Sequence, residues 1–454
     1  MTDKIPEHIL AVSKKIESHG FESYLVGGCV RDMFLKLPLK DWDFATNATP
    51  EETLKIFPEG FYDNSFGTVG VPLENGEIVE ITTYRTEKGY TDSRRPDDVS
   101  WGISIEEDLK RRDFTVNAIA VRVSSGAGEN SIAIVDPYDG QADLLRKEIN
   151  AVGDPDERFK EDALRLMRAV RLSCQLSFSI ESKTLESLKN HAELIQKISS
   201  ERVRDELFKI LACENPYAGI MTLYETGLLK FILPELLEGI GVSQERPGRH
   251  HKEDVFTHNL KSLQTTPSKD PLVRFATLIH DIAKPRVQGS DSEGYVIFHN
   301  HEIVGAKMAE EISDRLRLSK KQKTKVVTLI RWHMFTVDVH TTDAAIRRFI
   351  RRVGIENIND MIDLRIGDRL GSGTETAESW RLKLFKKRID EQLAPAPFSI
   401  NDLAVDGNDI MQECNLRPGP EIGKILELLF QEVDEDLKKN NKDYLLSRAR
   451  ELAK

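Results

Sequence analysis

The sequence predicts an α+β protein: a mixed head over about the first 150 residues, then an almost wholly helical remainder. Three observations carry that expectation. Up to about residue 150, short β-like runs (YLVGG, FGTVGVPL, EIVEITTYR, AIAVRV, AIVDPY) alternate with helical stretches such as EETLKIFP. From about residue 155, EDALRLMRAVRL, KTLESLKNHAELIQKIS, ERVRDELFKILA and AGIMTLYETGLLKFI repeat apolar residues at helical spacing. Eight of the eleven histidines fall between His250 and His340, which marks a third region with its own chemistry.

A chain of 454 residues exceeds what one hydrophobic core can hold, so about two to four domains are expected. The texture places divisions at 1–150, 151–240, 250–370 and 371–454, with GIGVSQERPGRHH (239–251) as a linker. Charged residues make up 31% of the chain, and no apolar run approaches the roughly 20 residues of a membrane span. The start, MTDKIPEHIL, lacks the features of a signal peptide, and Cys29, Cys174, Cys213 and Cys414 form no CxxC. A cytoplasmic protein with no membrane partner is expected. The net charge of −11 argues against nucleic acid as a partner of the chain as a whole. Two basic clusters, RRFIRR (347–352) and RLKLFKKR (381–388), offer either local RNA contact or solvated helix faces.

In the head, FESYLVGG reads as a strand ending in a Gly27-Gly28 turn, and CVRDMFLKL as the helix that starts there. Glycines let backbone approach a ligand closely, and a helix N-terminus offers free N–H groups to phosphate oxygens. If KDWDFAT is a strand, Asp41 and Asp43 share a face while Trp42 enters the core. Paired carboxylates of this kind suit Mg²⁺, and metals so held support in-line phosphoryl displacement.

Gly27, Gly28, Arg31, Asp32, Asp41 and Asp43, in that order, resemble the catalytic signature of the DNA polymerase β-like nucleotidyltransferases. The resemblance is to the class II tRNA nucleotidyltransferases, or CCA-adding enzymes, and their bacterial poly(A) polymerase relatives. RRDFTVNAIA (111–120) resembles that family's ribose- and phosphate-contacting motif, which implies nucleotide contacts from Arg111, Arg112, Asp113 and Asn117. EDALRLMRAVRL (161–172) resembles its base-recognition helix, ERVRDELFKIL (201–211) its helix-capping motif, and YRTEKGYTDSRRPDDV (84–99) its flexible loop. Glu80 falls where the superfamily often places a third carboxylate.

Spaced i and i+3 on one helix, Asp162 and Arg165 would lie on one face. A carboxylate accepts from the exocyclic amine of cytosine or adenine while a guanidinium donates to the adjacent ring nitrogen, and uracil and guanine fail this test. Arg168 and Arg171 either extend the cationic face toward phosphates or pair with acids.

The histidine-rich region supplies His258, the pair His280-Asp281, then His299, His301 and His333, with Asp368 or Asp363 to close the set. The order resembles the HD metal-dependent phosphohydrolase domain, which implies a divalent metal held by His258, His280, Asp281 and Asp368. Whether one metal or two binds turns on His301 and His333. Taken together, the resemblance implies addition of CCA to tRNA from CTP and ATP with Mg²⁺, and an accessory phosphohydrolase activity. The alternatives are poly(A) synthesis, A-only addition, or an HD phosphohydrolase with a nucleotide-sensing head. The loop around Arg85 to Pro96 disfavours CC-only addition.

Overall fold

The structure is a computed structural model that describes residues 5–39, 41–62, 67–88, 98–102, 104–125, 130–245, 253–336, 338, 340–393 and 399–453. Its chain divides into two compact units, Met1–Leu237 with Arg315–Arg317, and Glu238–Asp314 with Leu318–Lys454. Among the described residues no helix is long and apolar enough to cross a membrane.

In the first unit, the strands of the head among the described residues are β1 (Tyr24–Val26), β2 (Asp43–Thr46), β3 (Phe61–Tyr62), β4 (Thr68–Pro72), β5 (Ile78–Thr83), β6 (Arg85–Lys88), β7 (Asp98–Trp101), β8 (Ala120–Ser125) and β9 (Asn130–Val135). Seven of them form one sheet in the order β3-β4-β5-β2-β1-β8-β9, while β6 and β7 pair with each other. Most pairings are antiparallel, but β2 and β5 run parallel. That crossover passes through helix Pro50–Ile56, which starts at a Thr49/Glu52 capping box with proline in its first turn. The loop expected over 84–99 falls largely on residues 89–97, outside the described residues.

Both faces of the sheet are covered. Tyr24, Val26, Ala45 and Ala120 share a core with Ile105 and Leu109. Ile9, Val12 and Ile16 are the buried residues of helix Glu7–Ser18, an element absent from the sequence expectation although their spacing is helical. Seven α-helices follow, from Pro155–Glu161 to Pro234–Leu237.

EDALRLMRAVRL is not one helix, which corrects the expected geometry of Asp162 and Arg165. Helix Pro155–Glu161 ends at Asp162, an extended residue with φ −138° and ψ 104°, and the next helix is Leu164–Leu176. The break has a local cause. One Asp162 carboxylate oxygen accepts the Leu164 N–H at 3.0 Å, and the other accepts from Arg202 of helix Ser200–Leu211 at 2.9 Å.

The second unit is helical. Helix Val255–Thr265 lies against helix Ile358–Gly371, where a Cβ on Gly371 would stand 2.6 Å from the Ser262 amide nitrogen. Glycines at 367 and 371, one turn apart, are what let these two backbones meet. At the C-terminal end, Leu403, Ile410, Ile425, Leu429, Val433 and Leu445 gather the last three helices around a cluster of their own. Helix Pro420–Glu435 meets helix Asp343–Val353 at a buried clamp: Asp434 accepts from Arg347 Nε at 3.0 Å and from both terminal nitrogens of Arg351 at 3.1 and 2.6 Å. Two arginines of RRFIRR are therefore structural, and so is Arg388 of the other basic cluster, which pairs with Asp343 at 2.5 Å. Neither cluster is the simple basic strip that its sequence suggests.

Candidate active site and metal centre

The head's site grows from the Gly27 turn. Gly27 has φ +73°, and a Cβ there would stand 3.1 Å from the Arg112 guanidinium and 3.5 Å from the Asp43 carboxylate. Only glycine brings backbone this close in this conformation. Gly28 opens helix Gly28–Leu35, whose first amides lack helical acceptors. Opposite the turn, Asp43 and Glu80 are register partners on parallel strands β2 and β5, so their side chains stand side by side. Trp42, 5% exposed, takes the opposite face into the core. Burial pushes the Asp43 carboxyl up, and Glu80 and then Asp41 push it further against the pull of Arg112, to about 6. Asp41 precedes β2 and is exposed. Three crowded oxygen donors with one guanidinium to balance them fit a hard divalent cation.

Behind this cluster the other expected nucleotide contacts form an ion-pair network. Arg31 is buried and donates to Asp32 at 2.8 Å and to Asn117 Oδ1 at 2.9 Å. Arg111 and Arg112 both hold the buried Asp108, at 2.5 and 3.0 Å. Arg168 binds Asp113 at 2.5 Å, and Arg171 binds Glu206 at 2.7 Å. Arg165 faces Glu161 at 2.5 Å and donates to the Arg111 carbonyl at 3.0 Å, so it does not pair with Asp162. Burial pushes the Asp113 carboxyl up, yet Arg168 and Arg165 prevail and hold it at about 2.

A carboxyl held low in the fold stabilises it fully above the ordinary aspartate value and loses that contribution as pH falls through about 2. Arg168→Met should therefore cost about 3 kcal/mol at pH 7, by leaving Asp113 buried with its closest cation gone. Urea unfolding across pH 3 to 7 would check this, and a variant no less stable than wild type at pH 7 would refute it.

The second unit holds a different centre. His258, His280, Asp281 and Asp368 are all buried, with one donor atom from each lying within 4.8 Å of the others. His258 Nε2 is 3.3 Å from both Asp281 Oδ2 and Asp368 Oδ1, and His280 Nε2 is 3.3 Å from Asp281 Oδ2. The other Asp281 oxygen faces His301 Nε2 at 3.3 Å and His333 Nε2 at 3.7 Å, completing a second group. Asp281 thus belongs to both.

Ring orientation is fixed from behind. His280, His301 and His333 donate Nδ1–H to the carbonyls of Thr277, Phe298 and Ile330 at 2.8, 2.8 and 2.7 Å, which leaves Nε2 of each to face the cluster. Burial opposes a charge on His280, but Asp281 and Asp368 raise it to about 10. Neutral imidazole and carboxylate together make a sound divalent-metal set, so the residues fit such an ion and its binding would release protons. Asp368 is present because Gly367 and Gly371 bring its helix onto Ser262, one turn beyond His258. Asp363 lies in neither ligand group, and His299 lines the adjoining cleft.

Comparison with known proteins finds family models over both regions of the chain. The family model of the poly(A) polymerase head domain matches residues 23–150, that of a probable RNA- and SrmB-binding site of polymerase A matches 177–239, and that of the HD domain matches 255–370. The CCA-adding enzyme of Latilactobacillus sakei is 34% identical over 444 residues, covering 97% of each chain. That of Lactococcus lactis is 31% identical over 465 residues, covering 99% of each. The chain belongs to the CCA-adding enzyme family. Among solved structures of that family, the Bacillus stearothermophilus CCA-adding enzyme in complex with CTP has a TM-score of 0.70 at 25% identity, over 98% of this chain and 96% of that one. The Thermotoga maritima CCA-adding enzyme complexed with tRNA shares the fold at 19% identity, with a TM-score of 0.52 over 97% and 93% of the two chains.

Within this member of the CCA-adding enzyme family, sequence reasoning passed over Asp108, Glu161, Arg202 and Glu206, the partners that hold the expected nucleotide residues. Asp108 and Glu161 carried a signal, Asp108 lying three and four residues before Arg111 and Arg112 and Glu161 four before Arg165.

Proposed function

We propose that this chain adds CCA to the 3′ ends of tRNA from CTP and ATP, releasing pyrophosphate, in the cytoplasm. The observation that carries the reading is the meeting of the Gly27 turn, Arg112 and the register pair Asp43–Glu80 in a chain of this family. Mg²⁺ held by Asp41 and Asp43, with Glu80 beside them, would supply charge neutralisation at the α-phosphate attacked by the tRNA 3′-hydroxyl. The protein's own part is placement. Amide N–H groups at Gly28 and the start of its helix donate to phosphate oxygens, Arg112 neutralises negative charge beside Asp43, and Arg31 fixes the helix by holding Asn117.

Selection of C and A falls to Asp162 and Arg165, by acceptance from the exocyclic amine and donation to the ring nitrogen. To read a base they exchange their present partners, Arg202 and Glu161. Arg111, Asp113, Arg168 and Arg171 act through the ion pairs that stiffen the wall behind the nucleotide.

The reading is tested with purified protein, Mg²⁺ and a tRNA transcript lacking its last three nucleotides. Two additions from CTP alone, and a third only when ATP is present, are expected. A ladder from ATP alone would assign poly(A) synthesis instead. The His-Asp cluster supports a second activity, hydrolysis of phosphate esters such as a terminal or 2′,3′-cyclic phosphate, with a divalent metal held by His258, His280, Asp281 and Asp368.

A further inference from the structure

Gln244 lies in the stretch that reads from sequence as a linker, yet it is only 6% exposed. Its Oε1 accepts from the Lys284 ammonium at 2.5 Å, while its Nε2 is buried without a partner. An amide donor left unmet in the interior is costly, and a fold that keeps one has a use for it or a ligand to meet it. Lys284 is 8% exposed and also touches Asp281 Oδ2 at 2.5 Å, the oxygen shared with His258 and His280. Gln244 and Lys284 both line a cleft of about 750 Å³ whose floor includes Asp281, His301, His333 and Asp368.

The arrangement is polarised. Behind Lys284 the Phe298 ring lies 5.5 Å away, and Arg365 stands on Asp368 Oδ2 at 2.5 Å. One wall of the cleft thus carries an ammonium and an amide whose N–H has no partner, a pairing that suits oxyanions. A cation held by Asp281 would draw on the oxygen that Lys284 touches, and Lys284 already lines the cleft.

We propose that the Gln244 amide and the Lys284 ammonium form the subsite that holds the phosphoryl oxygens of a phosphate ester at the His-Asp centre. The inference rests on the phosphohydrolase reading of that centre and adds a residue from outside the matched HD region, which begins at 255.

The test uses the full chain loaded with Mn²⁺ and titrated with inorganic phosphate by calorimetry, for wild type, Gln244→Leu and Gln244→Glu. The glutamate variant still accepts from Lys284, so the local fold is kept while the donor becomes an anion. Phosphate binding should weaken about tenfold in Gln244→Leu, and further in Gln244→Glu, with Mn²⁺ affinity unchanged. Equal phosphate affinity in all three proteins would overturn the subsite. So would a parallel loss of Mn²⁺, which would make Gln244 a support of the metal centre only. A wild type that binds Mn²⁺ but no phosphate would overturn the phosphohydrolase reading and the subsite together, which separates the two failures.

Discussion

Asp43→Asn should lower nucleotide incorporation by at least about 10³-fold, while leaving a folded and more stable protein. Both halves follow from the same geometry. Asp43 stands in register with Glu80, beside Asp41, with Arg112 opposing them, and its carboxyl is raised to about 6. A raised carboxyl is one whose charged form the fold disfavours, so at pH 7 without Mg²⁺ the neutral amide relieves repulsion. The amide keeps the shape but surrenders the anionic oxygen that a cation needs. Asp41→Asn should lose as much activity with a smaller gain in stability, since Asp41 is exposed. Primer extension at single-nucleotide resolution and thermal unfolding in EDTA measure the two effects. Incorporation within tenfold of wild type would remove Asp43 from the centre.

Asp281→Ala should abolish metal binding at the His-Asp centre and lower phosphate-ester hydrolysis by about 10³-fold, sparing nucleotide incorporation. Its two oxygens serve two groups, one with His258, His280 and Asp368, the other with His301 and His333. His301→Ala removes a donor from the second group alone, so a metal that binds only the first would be retained. Metal content after dialysis, together with calorimetry in buffers of different ionisation enthalpy, reads out both points. Wild type should release protons on binding, because the shared carboxylates raise His280 to about 10. An Asp281→Ala protein that retains its metal would sink this assignment.

How legible the molecule is from sequence depends on the range of the interaction concerned. A Gly-Gly turn after a strand, and aspartates flanking a tryptophan, are local patterns, and Gly27, Trp42 and Asp43 follow the period-2 rule directly. The candidate histidines are legible because a His-Asp pair with further histidines spaced after it is an unusual pattern. The choice of Asp368 over Asp363 needs helix packing, and the clue is the GDRLG spacing that admits Ser262. The partners of the arginines were hidden, since Arg168 reaches Asp113 across 55 residues and Arg31 reaches Asn117 across 86. Nor does an amphipathic run announce the break at Asp162, where one side chain caps the helix that follows it. Gln244 looks like linker because polarity alone separates neither a loop from a wall nor a solvated amide from a buried one.

The C-terminal cluster and its clamp divide two tasks between two forces. Apolar packing among Leu403, Ile425, Leu429 and Leu445 holds the last helices to one another, and such contacts tolerate sliding. Two arginines converging on Asp434 do not, because forked donors on a single carboxylate accept only one bearing. The final segment is therefore aimed by charge at helix Asp343–Val353, as a splint is, and whatever surface it carries is presented at a set angle.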